Sequence, residues 1–339
     1  YRGNLIAATQ GRAFWILDDL SVIRAYKKDG LNSMSIAATD NIISSGGGQM
    51  DGANPSGVDS YNGVNPAAGI VLYYNLPDTK DSTMLCLDVK DEKGRTVHSY
   101  CSVADTTDHN YHGAPGKDPV LPRNKGLNRF VWNMRWPTIT GVPKADMELG
   151  FSGHKAIPGK YTFTLRQGDK SVSTSASILT NPNYGTTPAE YQEWDKVMGD
   201  MEATADEMNG RINRQYQQMM QLDQVVAHLP ADSKYDALRK DGKALLNDMR
   251  AWDEDMVQRR SQAYDDVENF PNKFNAMYMF MKDQTDGDIP RVNQPSLDRK
   301  AELDKQWVEL KARNEAIQAR IPAYNKALFD AGIGGVWKK

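Results

Sequence analysis

The chain has 339 residues, with 41 basic and 44 acidic side chains, a net charge of −3 and 40% hydrophobic residues. That length suggests two or three domains, each with enough apolar residues for a core. The balanced charge, without a basic stripe, argues against a nucleic-acid partner, and no apolar run approaches the ~18 residues of a membrane span.

The first elements are two strand-like runs, residues 5–9 and 13–17, joined at Gln10-Gly11, where glycine supplies the positive φ of a tight hairpin. A lone hairpin is marginal in water and needs a sheet to join. The chain starts at Tyr1, without Met and without the features of a leader. It therefore reads as a fragment, whose opening hairpin (residues 1–26) is the edge of a β structure lying upstream. Residues 27–65 turn to Gly, Ser, Asn and Asp, as in Ser44-Ser45-Gly46-Gly47-Gly48, and read as a connector with little apolar surface to bury.

Residues 66–182 carry short strand signals separated by Gly, Pro and Asp turns. They comprise residues 69–74, 83–89, 95–103, 126–137, 160–166 and 171–179. Five to seven such strands in about 115 residues predict a β-sandwich of immunoglobulin or fibronectin type. Two cysteines, Cys86 and Cys101, lie on the arms of one hairpin. A three-residue loop, Glu92-Lys93-Gly94, sets Cys86 opposite Tyr100 and the two sulfurs on opposite faces. A two-residue turn sets Cys86 opposite Cys101. Asp91-Glu92-Lys93-Gly94 suits the first register, so free thiols are expected ahead of a disulfide, and the pair says little about redox compartment.

After Pro182 the period becomes helical. Thr187-Pro188-Ala189-Glu190 is a capping box with proline at the first helical position. From it a seam runs through Tyr191, Trp194, Met198, Met201, Ala205, Met208, Ile212, Gln215, Met219, Leu222, Val226 and Leu229, predicting a helix of about 40 residues. A second seam runs Tyr235, Leu238, Gly242, Leu245, Met249, Trp252 and Met256. A third runs Leu303, Trp307, Leu310, Asn314, Ile317, Ile321, Tyr324 and Leu328, with Pro322 expected to kink it. Residues 186–332 thus predict an antiparallel three-helix bundle with an extra short helix near residues 270–281, followed by a tail at 333–339. The whole chain is α+β and multidomain.

Few residues cluster as chemistry requires. Asp105, Asp108, His109 and His112 place two imidazoles and two carboxylates close together, but in a Gly/Pro loop without the rigid frame a metal needs. Asp283, Asp286 and Asp288 resemble half a calcium loop and lack its terminal glutamate, so a solvated inter-helix loop is expected. Asp18-Asp19 suits a turn cap better than an acid/base pair. Met198, Met201, Met208 and Met219 fall on the helical seam and read as core. Trp132 shares a face with Phe130 and Met134 and reads as core rather than as a sugar platform with Trp136. Trp15 reads as packed. No catalytic, cofactor-binding or metal-binding residue is assigned, and no cofactor is expected.

Four motifs together resemble the C-terminal part of the bacterial sortilin-like β-propeller proteins, whose BNR repeats carry a glycosyl-hydrolase label. Ile6-Ala7-Ala8-Thr9-Gln10-Gly11-Arg12-Ala13-Phe14-Trp15-Ile16-Leu17-Asp18-Asp19 resembles that family's closing propeller motif. Residues 126–137 resemble its G-x-N-R-F-x-W-D-x-R-[YW]-P strand, with Asn133 in place of Asp. Residues 156–163 resemble its P-G-x-Y strand, and Asn269-Phe270-Pro271-Asn272-Lys273-Phe274 a feature of its helical end.

The resemblance implies a non-catalytic scaffold or interaction portion of a secreted or surface-exposed bacterial protein. Any hydrolase activity would then belong to the propeller, and no catalytic residue carries over to this chain. Its expected partner is an upstream propeller of the same protein, continuous with it or a separate cleaved chain, and its expected location is extracytoplasmic. Two alternatives stand beside it. One is a carbohydrate-binding module using Tyr73, Tyr100, Trp132 or Trp136. The other is an interaction subunit of a larger cell-surface assembly, with the long helices or the Gly-rich connector against another protein chain.

Overall fold

The computed structural model describes residues 5–12, 14–17, 20–25, 32–42, 67–77, 83–106, 111, 113–145, 147, 150–287 and 289–333. The protein is mixed α+β, with sheets first and helices after them. Strands β1 (Leu5–Ala8) and β2 (Phe14–Leu17) form an antiparallel hairpin with Leu5 opposite Leu17 and Ala8 opposite Phe14. A short helix, α1 (Leu20–Ala25), follows. Among the described residues no third strand pairs with this hairpin. Trp15, expected to be packed, is 66% exposed on this two-stranded sheet.

Strands β3 (Ser35–Ala38) and β4 (Asn41–Ile42) come from within the segment read as a connector, whose residues 27–31 and 43–65 lie outside the described residues. They are followed by β5 (Ile70–Leu76), β6 (Leu85–Lys90), β7 (Thr96–Cys101), β8 (Gly126–Trp132), β9 (Gly159–Gln167) and β10 (Lys170–Leu179). One sheet has the order β4-β10-β9-β6-β7, antiparallel except for β4 beside β10. The other is antiparallel, with the order β3-β5-β8. Strict alternation buries Tyr161, Phe163 and Leu165 of β9 and Phe130 and Trp132 of β8. Across the two sheets the Trp132 ring lies 5.0 Å from that of Tyr161 and 5.6 Å from that of Phe163, so Trp132 is core.

The cysteines are joined by a disulfide. The turn has the expected form, with the Asp91 amide bonded to the Arg95 carbonyl and Gly94 at φ 78°. A bulge between Val89 and Lys90 on one side and Thr96 and His98 on the other then inserts one residue. The register slips by one, and Cys86 meets Cys101 instead of Tyr100. The expectation of free thiols is corrected on that account. Reducing the bond, which closes a separation of 15 residues, is expected to lower stability by at most about 3 kcal/mol. The strands hold each other regardless, so denaturation with and without reductant should show a smaller loss than that.

The helices are α2 (Pro188–Ala227), α3 (Asp236–Met256), α4 (Phe274–Thr285) and α5 (Gln294–Asp330). Both halves of the capping box at Thr187 and Glu190 form. Helix α3 runs antiparallel to α2 and α5: Gly242 faces Val226 and Tyr324, while Trp252 Nε1 donates to the Leu310 carbonyl at 2.7 Å. Helices α2 and α5 run in the same direction, pairing Arg211 with Glu315 and Gln218 with Gln318. Met198, Met201 and Met208 are fully buried and Met219 partly so, as core filling should be. Helix α5 continues through Pro322.

A polar layer crosses this apolar core. Asn314 donates to Gln215 at 2.7 Å, and Gln215 donates to the Met249 carbonyl at 3.2 Å, which penalises any slip of one helix past another. At Gly242 a Cβ would lie 2.3 Å from the Tyr324 hydroxyl and 2.6 Å from Val226. Gly242→Ala is therefore expected to destabilise by about 1–3 kcal/mol in urea unfolding, despite the better helix propensity of alanine.

Candidate functional site

The most organised polar cluster lies where residues 134–156 of the sheet region meet the side of α2. It begins with a pattern on the helix. Asp195, Glu202 and Asn209 recur every seven residues, two turns apart, so they share one face beside the apolar seam. All three are buried. Farther along the same face, Asp206 accepts from the Thr140 amide at 2.8 Å, while Asn209 and Asn213 each donate at 2.7 Å to the carbonyls of Thr140 and Gly141.

The opposing surface is an irregular pair of segments. The amides of Trp136, Ile139 and Ala156 donate to the carbonyls of His154, Phe151 and Met134, so residues 134–139 run against residues 151–156. The pair is close because Gly153 has no side chain: a Cβ there would lie 2.3 and 2.4 Å from the carbonyl oxygens of Trp136 and Pro137. Every residue from 152 to 155 is then gripped from outside. Lys282 of α4 donates to the Ser152 carbonyl at 2.6 Å, and Arg135 donates to the Gly153 carbonyl at 2.7 Å. The His154 amide donates to Glu202 Oε1 at 2.5 Å, and Lys155 Nζ reaches the carbonyls of Asp286 and Gly287 at 3.3 and 2.8 Å.

His154 is the centre of this clasp. Its ring is 2% exposed, with Nδ1 2.7 Å from Glu202 Oε2 and Nε2 3.3 Å from Asp195 Oδ1. It stacks on Trp136 at 5.6 Å and meets the edge of Trp194 at 5.3 Å. Burial alone would pull the imidazole toward its neutral form, but the bonds and charges of Asp195 and Glu202 outweigh it and hold the pKa above its ordinary value. Asp195 also accepts from Arg95 at 2.9 Å. Burial pushes its carboxyl upward, and the bonds from His154 and Arg95 outweigh that and hold it below the usual carboxylate range. Arg95 completes the group by lying 5.0 Å over the Trp136 ring and pairing with Asp91.

A cavity of about 370 Å³ opens beside the clasp, between Trp136, Pro137 and Ile139 on one wall and Gly199, Ala203 and Asp206 on the other. Both nitrogens of His154 are engaged, so it cannot accept a substrate proton without first releasing a carboxylate. The two carboxylates sit on opposite nitrogens, so one metal ion could not be shared by all three groups. The arrangement fits holding two elements together and exchanging one proton; it offers no activated nucleophile.

The residues singled out from sequence fall elsewhere or take other roles. Asp286 is not a solvated loop carboxylate: its side chain is 7% exposed and pairs with Arg135 at 2.7 Å, drawing the end of α4 onto the clasp. Asp18, Asp19, Asp108, His109, His112 and Asp288 lie outside the described residues. Among the described residues no group of three or more His, Cys, Asp or Glu is placed to hold a metal ion. Tyr100 and Trp132 are buried, and Trp136 is partly covered by His154 and Arg95. Neither His154 nor its partners were singled out from sequence; His154 carries no signal beyond its type, and the seven-residue spacing of Asp195, Glu202 and Asn209 is the signal that could have found the site.

No helix among the described residues is long and apolar enough to cross a membrane. Compared with known proteins, the chain finds no match among family models, curated proteins or solved structures.

Proposed function

We propose that this chain is a non-catalytic bracing module: an immunoglobulin-like β-sandwich fixed to an antiparallel three-helix bundle with one extra short helix, which together support a β-propeller of sortilin-like type. The observation that carries it is the β1–β2 hairpin. Phe14 is 76% exposed and Trp15 66%, while neighbouring positions on both faces, Leu5, Ile6 and Leu17, are about half exposed. Apolar residues on both faces of a two-stranded ribbon suit a strand pair that belongs inside a larger β structure. The clasp supports the bracing half of the proposal, because a rigid joint transmits the position of the sheets to the helices.

In this reading any hydrolysis belongs to the propeller and its substrate is bound there. The Cys86–Cys101 disulfide supports an extracytoplasmic location, where such bonds persist. The test is the coding sequence upstream of Tyr1, together with the solvent accessibility of Trp15 when that sequence is expressed in one chain with residues 1–339. Propeller repeats upstream and a Trp15 shielded from an aqueous quencher are the expected results. A Trp15 as open to quencher as in the present chain, or an upstream sequence without such repeats, overturns the proposal.

An interaction subunit is the second reading, favoured by one specific feature. An apolar groove of about 760 Å³ runs between the C-terminal ends of α2 and α5, lined by Met220, Val225, Leu229 and Ile333.

A further inference from the structure

We propose that the His154 clasp is a proton-gated joint: the imidazolium form locks α2 against residues 151–156, and loss of its proton releases the lock. The inference follows from donor arithmetic at a buried ring. A neutral imidazole has one N–H and one lone pair, so it can satisfy one carboxylate and must present its lone pair to the other. His154 has a carboxylate oxygen at each nitrogen, 2.7 Å away at Nδ1 and 3.3 Å at Nε2. Only the doubly protonated ring donates to both. Proton loss therefore turns one of two attractive contacts into a repulsive one, in a place where the ring is 2% exposed.

The surrounding charges are consistent with a single switchable member. From α2 the ring faces Asp195 and Glu202. From the turn preceding β7 comes Arg95, held by Asp91 as well as by Asp195. Asp206 lines the cavity, engaged by the Thr140 amide. From the other side Arg135, Lys155 and Lys282 surround the adjoining backbone, with Asp286 between the first two. Arg95 stays charged at any pH the protein survives and Asp195 is held below the usual carboxylate range, so the imidazole is the group of this cluster that can lose its proton while its partners stay charged. The adjoining cavity, which His154, Asp195 and Glu202 all line, gives the proton a route to solvent without unfolding.

The sign follows from linkage. The folded-state pKa of His154 is raised, so its contribution is complete below the unfolded value of about 6.5 and is lost as pH rises through the folded value. Within that window the folding equilibrium constant should fall by up to about tenfold per pH unit.

The experiment is a proton NMR titration of the histidine ring signals of the full chain from pH 5 to 10, with urea unfolding over the same range. The expected result is one slowly exchanging histidine, assigned by its loss in His154→Gln, that titrates above 6.5 while stability falls through the same interval. In Glu202→Gln, which keeps shape and removes one charge, that titration should move down and the stability slope should flatten. A ring that titrates at or below 6.5, or a stability unchanged across its titration, overturns the proposal. These outcomes concern only the joint, so they stand apart from any result on the hairpin and its propeller.

Discussion

Glu202→Ala is expected to cost about 3–5 kcal/mol, the scale for removing one partner of a buried ionic pair. The reason is what remains. Glu202 accepts both the His154 amide, at 2.5 Å, and its ring, at 2.7 Å. Without it, a buried N–H and a buried imidazolium lose their partner together. Much of that cost falls on the contact between sheets and helices rather than on either core. The indole NMR resonance of Trp132, in the sheets, and the far-ultraviolet helix signal should therefore give separate urea midpoints in the variant. In the parent chain they should coincide. Coincident midpoints in both would mean that the clasp contributes nothing to their coupling.

Gly153→Ala should approach the same loss by a different route, about 3 kcal/mol, at the upper end for overpacking. The added methyl would meet the carbonyl oxygens of Trp136 and Pro137 at 2.3 and 2.4 Å. Those atoms are backbone and cannot rotate away as a side chain could. The segment must shift, and with it His154, whose amide and ring both depend on their position relative to α2. Because the two substitutions damage one device, the double variant should lose clearly less than the sum of the single losses. Strict additivity would show that Gly153 serves only local packing.

The parts of the fold that depend on period were legible in the residues. The helical seams from Tyr191 to Leu328 follow from 3- and 4-residue steps, and the buried faces of β6, β8 and β9 from alternation. The disulfide was obscured by a single bulge residue, since the turn chemistry at Asp91 to Gly94 correctly sets the first pair and then the ladder slips. Trp15 was placed wrongly because hydrophobicity says that a residue favours burial, not whether the two-stranded sheet it belongs to has a surface to cover it.

The clasp was hidden for a different reason. His154 lies in a loop without period, and its partners are 41 and 48 residues away along the chain. Asp286 is more distant still, 151 residues from Arg135. Such contacts leave no local trace except on the regular element. There, buried acidic positions two turns apart beside an apolar seam are costly unless paired. Asp195 and Glu202 are therefore the kind of signal that points to a partner before the partner is known.

The central claim is that His154 and α2 are coupled as a charged pair and not merely adjacent. A double-mutant cycle between His154→Ala and Glu202→Ala, measured by urea unfolding at pH 6, tests it most directly. The expected coupling is about 2 kcal/mol, in the range found for buried contacting groups. Above the pH at which the ring's own NMR titration shows it neutral, the coupling should shrink. A coupling near zero at pH 6, or one unchanged once the ring is neutral, would contradict the account.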